Sequence, residues 1–196
     1  MFVTLEGIDG SGKTTQAELL AKTLGDDTVL VREPGGTVAS ERIRELVGDP
    51  GVRLEPASEL LLFCAARAQL VAEVIRPAIE AGRDVVCDRF SDSTAAYQGA
   101  ARGLSVEVAV TVSELATRGL RPDVTVLLSI DPERAAARGV GDDRFESEGL
   151  ELQRAVAEAY GRLARSDPDR IRVVDGEGDV EAVHARVVEA VEGARR

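Results

Sequence analysis

The stretch that decides the fold occupies residues 7–14 and reads Gly7-Ile8-Asp9-Gly10-Ser11-Gly12-Lys13-Thr14. It matches the pattern G-x-x-x-x-G-K-[ST] in full. Glycines let a backbone bend around phosphate oxygens with its N–H groups turned inward. The lysine of the pattern reaches the β- and γ-phosphates, and the hydroxyl of the Ser or Thr after it binds Mg²⁺. The sequence therefore predicts a loop that binds a nucleoside triphosphate with Mg²⁺ through residues Gly7, Ile8, Asp9, Gly10, Ser11, Gly12, Lys13, Thr14 and Thr15.

Outward from this loop, short apolar runs alternate with longer helical patterns. The predicted strands are Phe2–Glu6, Thr28–Arg32, Asp84–Asp88, Val124–Ile130 and Ile171–Val174. The predicted helices are Thr14–Leu24, Pro56–Glu80, Ser105–Arg118, Gly149–Arg165 and Val180–Gly193. Nearly continuous apolar strands that alternate with helices predict a parallel sheet between two helical layers, with ligands beyond the carboxyl ends of the strands. We find no repeat or linker, so we expect one domain over residues 1–196.

The composition is that of a globular chain, with 44% hydrophobic and 30% charged residues. No run of about 18 apolar residues is present, and the residues before the loop lack the basic start and cleavage region of a secretory signal. Cys64 and Cys87 do not form a C-x-x-C pair, and we expect both to be buried free thiols. These features predict a cytoplasmic protein.

The net charge is −11, from 24 basic and 35 acidic residues. This sign disfavours nucleic acid and anionic membranes as partners. Since phosphate ligands are anionic too, we expect basic side chains to be concentrated at the binding site. Lys13 and Lys22 are the only lysines. A high-salt cytoplasm and a GC-rich genome are two explanations for an acidic, lysine-poor chain, and the sequence leaves both open.

A phosphate-binding loop alone does not separate kinases from GTPases or motors. No N-K-x-D run, typical of guanine-nucleotide switches, is present. Asp88 ends the third predicted strand and Arg89 follows it, a place where an Asp can hold Mg²⁺ and an Arg can bind an acceptor phosphate or the transferred group. The alternative for such a dipeptide is a surface ion pair.

Phe63 and Arg67 are four residues apart on a predicted helix and therefore share a face. A ring and a guanidinium on one face can stack on and hydrogen-bond a nucleobase. Taken alone, Phe63 would more often be a core residue. Arg67 lies in an apolar stretch, and a buried charge needs a partner or a ligand.

Three arginines, Arg134, Arg138 and Arg144, surround a glycine-containing charged stretch. Arginines on a closing lid can neutralise charge on a transferred phosphoryl group. We therefore predict a lid at about 138–147, against the alternative of a solvated helix end.

With these residues in view, the chain resembles the bacterial and archaeal thymidylate kinases over nearly its whole length. Five blocks occur in order: Phe2-Val-Thr-Leu-Glu-Gly-Ile-Asp-Gly-Ser-Gly-Lys-Thr-Thr15, Arg32-Glu-Pro-Gly-Gly-Thr37, Leu61-Leu-Phe-Cys-Ala-Ala-Arg67, Asp88-Arg-Phe with Ser93-x-x-Ala-Tyr-Gln-Gly99, and Asp143-Arg-Phe-Glu146. The resemblance implies a three-layer α/β P-loop fold with a five-stranded parallel sheet of order 2-3-1-4-5. It also implies Mg²⁺-dependent phosphoryl transfer from ATP to dTMP by a homodimer.

The resemblance implies roles for single residues as well. Phe63 would stack on thymine, Arg67 would donate to its O4, and Tyr97 would crowd the sugar 2′ position. Asp9 would contact the acceptor sugar and help to order Mg²⁺, and Arg89 would bridge the two phosphates. Further acceptor contacts are expected from Glu33, Pro34, Thr94 and Gln98, and metal contacts from Thr14 and Asp88.

The variable positions of the loop carry no basic residue, which is typical of the branch that supplies a lid arginine. The implied catalytic residues are therefore Lys13, Arg89, Asp9, Arg138 and Arg144. Two departures from the family pattern are Phe90, where tyrosine is usual, and Thr94, where asparagine often contacts the base. Asp175-Gly176-Glu177 is a candidate adenine loop. The alternatives are another nucleotide or deoxynucleoside kinase, and a non-catalytic nucleotide-binding protein.

Overall fold

The computed structural model describes residues 1–138 and 149–194. Its strands are β1 (Phe2–Glu6), β2 (Val29–Arg32), β3 (Val85–Asp88), β4 (Val124–Ser129) and β5 (Ile171–Asp175). They form one sheet of order β2-β3-β1-β4-β5, in which every neighbouring pair is parallel. This confirms the predicted sheet and its strand order, with strand ends that differ from prediction by no more than one residue.

The register places the chemistry at one edge of the sheet. Leu5 of β1 pairs with Asp88 of β3, and β1 leads directly into the phosphate-binding loop. The carboxyl ends of parallel strands meet at one edge, so Asp88 and the loop are brought side by side.

Helices fill both layers beside the sheet. They are α1 (Lys13–Leu24), α2 (Val38–Gly48), α3 (Pro56–Leu70), α4 (Arg76–Glu80), α5 (Ser91–Thr94), α6 (Val106–Thr117), α7 (Pro132–Ala137), α8 (Gly149–Ser166) and α9 (Val180–Ala194). Val71–Ile75 and Ala95–Ala101 are π-helical; the first joins α3 to α4 and the second continues α5. In the second segment the Arg102 N–H donates to the Tyr97 carbonyl at 2.8 Å, five residues back.

The predicted helix limits need one correction. Ser105 and Arg118 flank α6 rather than belonging to it, since both have a positive φ, 78° and 50°. Three helices were also missed: α2, α5 with its π-helical continuation, and α7. For α2 a signal was present, because Thr37 caps the helix by accepting the Ser40 N–H at 3.1 Å.

The core lies on both faces of the sheet. On one face, Val3 and Leu5 of β1 pack with Leu20 of α1 and Val187 of α9. On the other, clusters beneath α3 and α8 include Phe2, Phe90 and Tyr160. Full burial of a side chain such as Leu20 contributes about 1.5–3 kcal/mol. These contacts hold the sheet between two helical layers, which fixes the edge where the loop lies.

Within residues 1–138 and 149–194, no helix is both long enough and apolar enough to pass through a membrane.

Candidate active site

A cleft of 580 Å³ opens beyond the carboxyl ends of β1 and β3. All nine residues predicted to contact the acceptor line it: Asp9, Glu33, Pro34, Phe63, Arg67, Arg89, Thr94, Tyr97 and Gln98. Six of the predicted loop residues line it too, namely Asp9, Gly10, Gly12, Lys13, Thr14 and Thr15. Gly7 and Ile8 instead face a neighbouring cavity of 380 Å³ beside α8, and Ser11 is buried.

The loop has the backbone that its glycines allow. Gly10 has φ 75°, and a Cβ there would lie 2.5 Å from the Ala135 carbonyl oxygen. No other residue fits that position without movement of α7. Helix α1 begins immediately after Gly12, so the positive end of its dipole points into the cleft. The arrangement is suited to bind phosphate.

Lys13 is buried at the head of α1, with its Nζ donating to the Ile8 carbonyl at 2.7 Å. Burial, and next the nearby Arg89 charge, lower the pKa of Lys13 to about 8, although Asp88 and Asp9 oppose this shift. A bound phosphate group would add negative charge beside the Lys13 ammonium and so favour its charged form.

Thr14 and Asp88 form the pair predicted to hold a metal. The Thr14 hydroxyl donates to Asp88 Oδ2 at 2.6 Å. The other oxygen, Asp88 Oδ1, is buried and has no hydrogen-bond partner within the described parts of the chain. Nor do the described ranges contain a cluster of three or more His, Cys, Asp or Glu residues able to hold a metal. One carboxylate and one hydroxyl beside a phosphate site fit Mg²⁺, which usually takes its other ligands from phosphates and water.

Arg89 lies between the loop and the rest of the cleft. Its backbone is left-handed, with φ 68°. Nη1 donates to the Gly7 carbonyl at 3.1 Å and to Ser93 Oγ at 3.2 Å, and Nη2 pairs with Asp9 Oδ1. The guanidinium carbon lies 5.1 Å from the centre of the Tyr97 ring. These contacts fix both the position and the plane of the guanidinium.

The Asp9 carboxylate has further partners. Oδ2 accepts from the Tyr97 hydroxyl at 3.1 Å and from Gln153 Nε2 at 2.8 Å. Burial alone would raise the pKa of Asp9, but the Arg89 and Lys13 charges, with the hydrogen bonds from Gln153 and Tyr97, lower it. Burial also raises the pKa of Tyr97, which therefore stays a neutral donor.

Arg67 forms the second arginine–carboxylate pair of the cleft. Its Nε and Nη2 contact Glu33 Oε2 at 2.8 Å and 2.7 Å. Nη2 also donates to the Phe90 carbonyl at 3.0 Å, and Nη1 to Ser113 Oγ at 3.2 Å. Glu33 Oε1 is buried with no partner in the described residues. Burial raises the pKa of Glu33 to about 7, although Arg67 opposes the shift.

The other predicted acceptor residues surround this pair. Phe63 is half-buried at the cleft wall, so the core alternative is wrong for this ring. Gln98 donates to Glu59 Oε1 at 2.9 Å, which fixes its amide, and Thr94 is buried at the cleft floor.

The predicted lid is described only at its first residue. Arg138 donates to the Gly10 carbonyl at 3.2 Å and to the Gly176 carbonyl at 3.3 Å. The candidate adenine loop is therefore held beside the phosphate loop. Arg134 pairs with Glu177 on the surface. Arg144 and the rest of the predicted lid lie outside the described residues.

Comparison with known proteins decides the family. The thymidylate kinase family model matches residues 5–187. The chain belongs to the thymidylate kinase family. It is 47% identical to the thymidylate kinase of Caldanaerobacter subterraneus subsp. tengcongensis, an alignment that covers 97% of this chain and 94% of that protein. It is 46% identical to the thymidylate kinase of Deinococcus radiodurans, with 97% and 96% covered.

A solved thymidylate kinase has the same architecture. The crystal structure of the Ehrlichia chaffeensis protein matches with a TM-score of 0.81 and 34% identity, over 98% of both chains. The resemblance read from the five sequence blocks is thus confirmed, and with it the P-loop kinase fold.

The cleft is also lined by Arg32, Arg44 and Ser93, which the sequence analysis did not place there. Glu6 and Gln153 do not line it, but they contact its residues Ser93 and Asp9. Arg32 is the first residue of the recognised block Arg32–Thr37, so its sequence position could have identified it as a cleft residue. Among the described residues, the cleft is lined by five basic ones, Lys13, Arg32, Arg44, Arg67 and Arg89, and by three acidic ones, Asp9, Glu33 and Asp88. The expected local excess of positive charge in an acidic chain is therefore confirmed.

Proposed function

We propose that this chain transfers the γ-phosphoryl group of ATP to dTMP, which yields ADP and dTDP. Family membership supports the reaction. The observation that carries the proposal is the place of Arg89, which lies between the phosphate loop and the Arg67–Glu33 pair, where an acceptor phosphate would meet a donor phosphate.

On the donor side, the loop N–H groups and the start of α1 bind the β- and γ-phosphates. Lys13 exchanges its hydrogen bond to the Ile8 carbonyl for phosphate oxygens. The backbone groups around Gly176 are suited to the adenine end, because Arg138 holds this loop against Gly10.

On the acceptor side, Phe63 stacks on the thymine ring and Arg67 donates to its O4. Glu33 holds Arg67 in place, and Pro34 shapes the wall beside it. Tyr97 occupies the space of a 2′-hydroxyl and thereby selects deoxyribose. Thr94 and Gln98 face the polar edge of the base.

Transfer needs no general base, because the attacking dTMP phosphate oxygen is already an anion. That oxygen bonds to the γ-phosphorus in line as the bond to the β-phosphate oxygen breaks. Positioning and charge neutralisation supply the catalysis. Lys13, Arg89 and the lid arginines share the developing charge, and Asp9 orients Arg89.

Thr14 and the free oxygen of Asp88 would hold Mg²⁺. When bound, the ion supplies positive charge to the triphosphate.

The test is a coupled ADP-release assay with ATP and Mg²⁺ across dTMP, dUMP, dCMP, dGMP, AMP and thymidine, at low and at molar KCl. We expect dTMP to be preferred by orders of magnitude and Lys13→Ala to be inactive while folded. A different preferred acceptor would overturn the base-pocket assignment, starting with Thr94 and Phe90.

Unfolding curves over the same KCl range test the high-salt explanation of the acidic surface, since no salt dependence would exclude it.

We further propose that the protein is a homodimer through α3 and α6. These neighbouring helices pack on each other through Leu60, Cys64 and Ala109. They turn Leu61 and Leu115, 59% and 80% exposed, towards solvent. Exposed apolar surface on adjacent helices is typical of subunit interfaces. Light scattering should give twice the chain mass, and Leu115→Glu should give monomers; a monomeric wild type would contradict the proposal.

The cytoplasm is the compartment that we propose. Cys64 and Cys87 are free and buried, which fits a reducing environment.

A further inference from the structure

Two carboxylates hold Arg89, one directly and one through a hydroxyl. Asp9 pairs with Arg89 Nη2. Glu6 acts through Ser93, whose Oγ donates to Glu6 Oε2 at 2.6 Å and accepts from Arg89 Nη1 at 3.2 Å. The guanidinium is therefore fixed from both of its terminal nitrogens.

Glu6 is fully buried at the end of β1, yet it plays no part in the mechanism above. It accepts from the Phe90 N–H at 2.7 Å and from the Tyr160 hydroxyl at 2.7 Å, besides Ser93. Since Phe90 follows Arg89 in the chain, Glu6 also anchors the backbone that carries Arg89 in its left-handed conformation.

Gln153 contacts Asp9 at two points. Its Nε2 donates to Asp9 Oδ2 at 2.8 Å, and its Oε1 accepts the Asp9 N–H at 3.2 Å. Only a side-chain amide of this length offers a donor and an acceptor in that arrangement. The carboxylate of Asp9 is thereby turned towards Arg89 and Tyr97.

Gln153 and Tyr160 lie on the same helix, α8, seven residues or about two turns apart, and so on one face. We propose that α8 positions Arg89 for phosphoryl transfer through these two side chains, Gln153 by way of Asp9 and Tyr160 by way of Glu6 and Ser93. The inference rests on the role proposed for Arg89. Both are positioning residues, since neither contacts Arg89 itself.

The first test is Tyr160→Phe, which removes one hydroxyl and keeps the ring. The buried Glu6 carboxyl then loses one of its donors, which loosens its hold on Ser93, so we expect kcat to fall about tenfold. The KM for ATP and the thermal midpoint should stay near the wild-type values, because the phosphate loop and the packing of the ring are unchanged. Glu158→Gln, on the exposed side of the same helix, is the control and should keep wild-type kcat.

The second test compares Gln153→Leu with Gln153→Glu. Gln153 contacts Asp9, and among the residues that the structure describes the charged or titratable groups acting on Asp9 are Arg89, Lys13 and Tyr97. The introduced carboxyl lies against the Asp9 carboxylate and repels it when ionised, whereas its protonated form regains a donor. We therefore expect the activity of Gln153→Glu relative to wild type to be at least about tenfold lower at pH 8 and to recover towards pH 5.5. Gln153→Leu should show a loss that does not recover.

A merely structural role for these residues would not produce the pH-dependent recovery. Wild-type kcat in both Tyr160→Phe and Gln153→Leu would overturn the inference. Arg89→Ala separates this failure from a failure of the proposed function. If Arg89→Ala is inactive while the α8 variants are normal, only the positioning by α8 is wrong, whereas an active Arg89→Ala would remove Arg89 from transfer altogether.

Discussion

Two arginine–carboxylate pairs face the same cleft and have opposite electrostatic character. In the Arg67–Glu33 pair the side chains are 1% and 4% exposed, and one Glu33 oxygen has no partner among the described residues. In the Arg89–Asp9 pair both are 18% exposed, and Asp9 receives hydrogen bonds from Arg89, Tyr97 and Gln153. The pKa of Glu33 is raised to about 7 and that of Asp9 is lowered.

The difference shows that an arginine partner alone does not keep a buried carboxylate ionised. Burial outweighs the single cation beside Glu33, whereas the Arg89 and Lys13 charges, with hydrogen bonds from Gln153 and Tyr97, outweigh the burial of Asp9. We infer that the Arg89–Asp9 pair is built to hold fixed charge near a transferring phosphoryl group. We infer that the Arg67–Glu33 pair instead holds the Arg67 side chain in one position, where it can donate to the uncharged base of the proposed acceptor.

The largest expected effect comes from breaking the charged pair. Arg89→Ala should lower kcat by about a thousandfold or more, because an arginine that stabilises the transferring group contributes about 10³–10⁵. Steady-state assays with saturating ATP and dTMP measure it. Arg162→Ala, on an exposed part of α8, is the control. A loss below tenfold would assign the charge stabilisation to another residue.

A smaller catalytic effect is expected from breaking the buried pair. Arg67→Ala should raise the KM for dTMP about a hundredfold and leave the KM for ATP nearly unchanged, because two or more hydrogen bonds to the base and its pocket are lost. Stability should fall by about 3 kcal/mol, since Glu33 is left buried without its partner. Urea unfolding of Arg67→Ala, with and without Glu33→Gln, checks this. An unchanged KM for dTMP would remove Arg67 from the base pocket.

The donor side gives a pH effect of about tenfold. Because the pKa of Lys13 is about 8, the charged form that binds phosphate is lost as pH rises through that value. We expect kcat/KM for ATP to fall about tenfold between pH 7 and pH 9, while kcat, measured on the ATP complex, changes less. A flat kcat/KM profile up to pH 9.5 would contradict the assignment.

The smallest expected effect is on the pH dependence of the unfolding free energy, to which Glu33 and Asp9 contribute with opposite sign. The pKa of Glu33 is about 7 in the native state, against the ordinary value of 4.5 in the unfolded chain. Between pH 4.5 and pH 7 the native state therefore binds a proton that the unfolded chain has released. The unfolding free energy of wild type should therefore fall relative to Glu33→Gln as pH rises through this range.

For Asp9, whose pKa is lowered from 3.8, the sign is reversed. Wild type should lose stability relative to Asp9→Asn only as pH falls through and below that value. Urea unfolding at several pH values decides, and parallel curves for wild type and Glu33→Gln would show that Glu33 titrates normally.

Much of the fold could be predicted because its signals are local. The phosphate loop, its apolar strand and the five alternating units are each contained in short stretches of sequence. Phe63 and Arg67 could be paired because four residues place them on one helix face. The nine residues predicted to contact the acceptor line one cleft, and they could be named because they belong to the blocks that carry the resemblance.

What was missed depends on contacts between distant parts of the chain. Gln153 lies 144 residues from Asp9 in sequence, and Tyr160 lies 154 residues from Glu6. On an amphipathic helix, a glutamine is typical of a surface position and a tyrosine of a core position. Gln153 and Tyr160 reach Asp9 and Glu6 because α8 packs beside the phosphate loop, and sequence spacing does not show that packing. The helix α5 was missed for another reason, since its four residues are too short for a periodic pattern.

The π-helical segment Ala95–Ala101 has a consequence for how this gene can vary. It contains Tyr97 and Gln98, and its wide turn accommodates one more residue than an α-helix would. Deleting one residue there would leave an acceptable regular helix, but it would rotate one flank against the other by about 100°. Single-residue deletions in this segment should therefore yield folded proteins that have lost their choice of nucleotide, so the length of this helix is as much a part of substrate selection as its side chains.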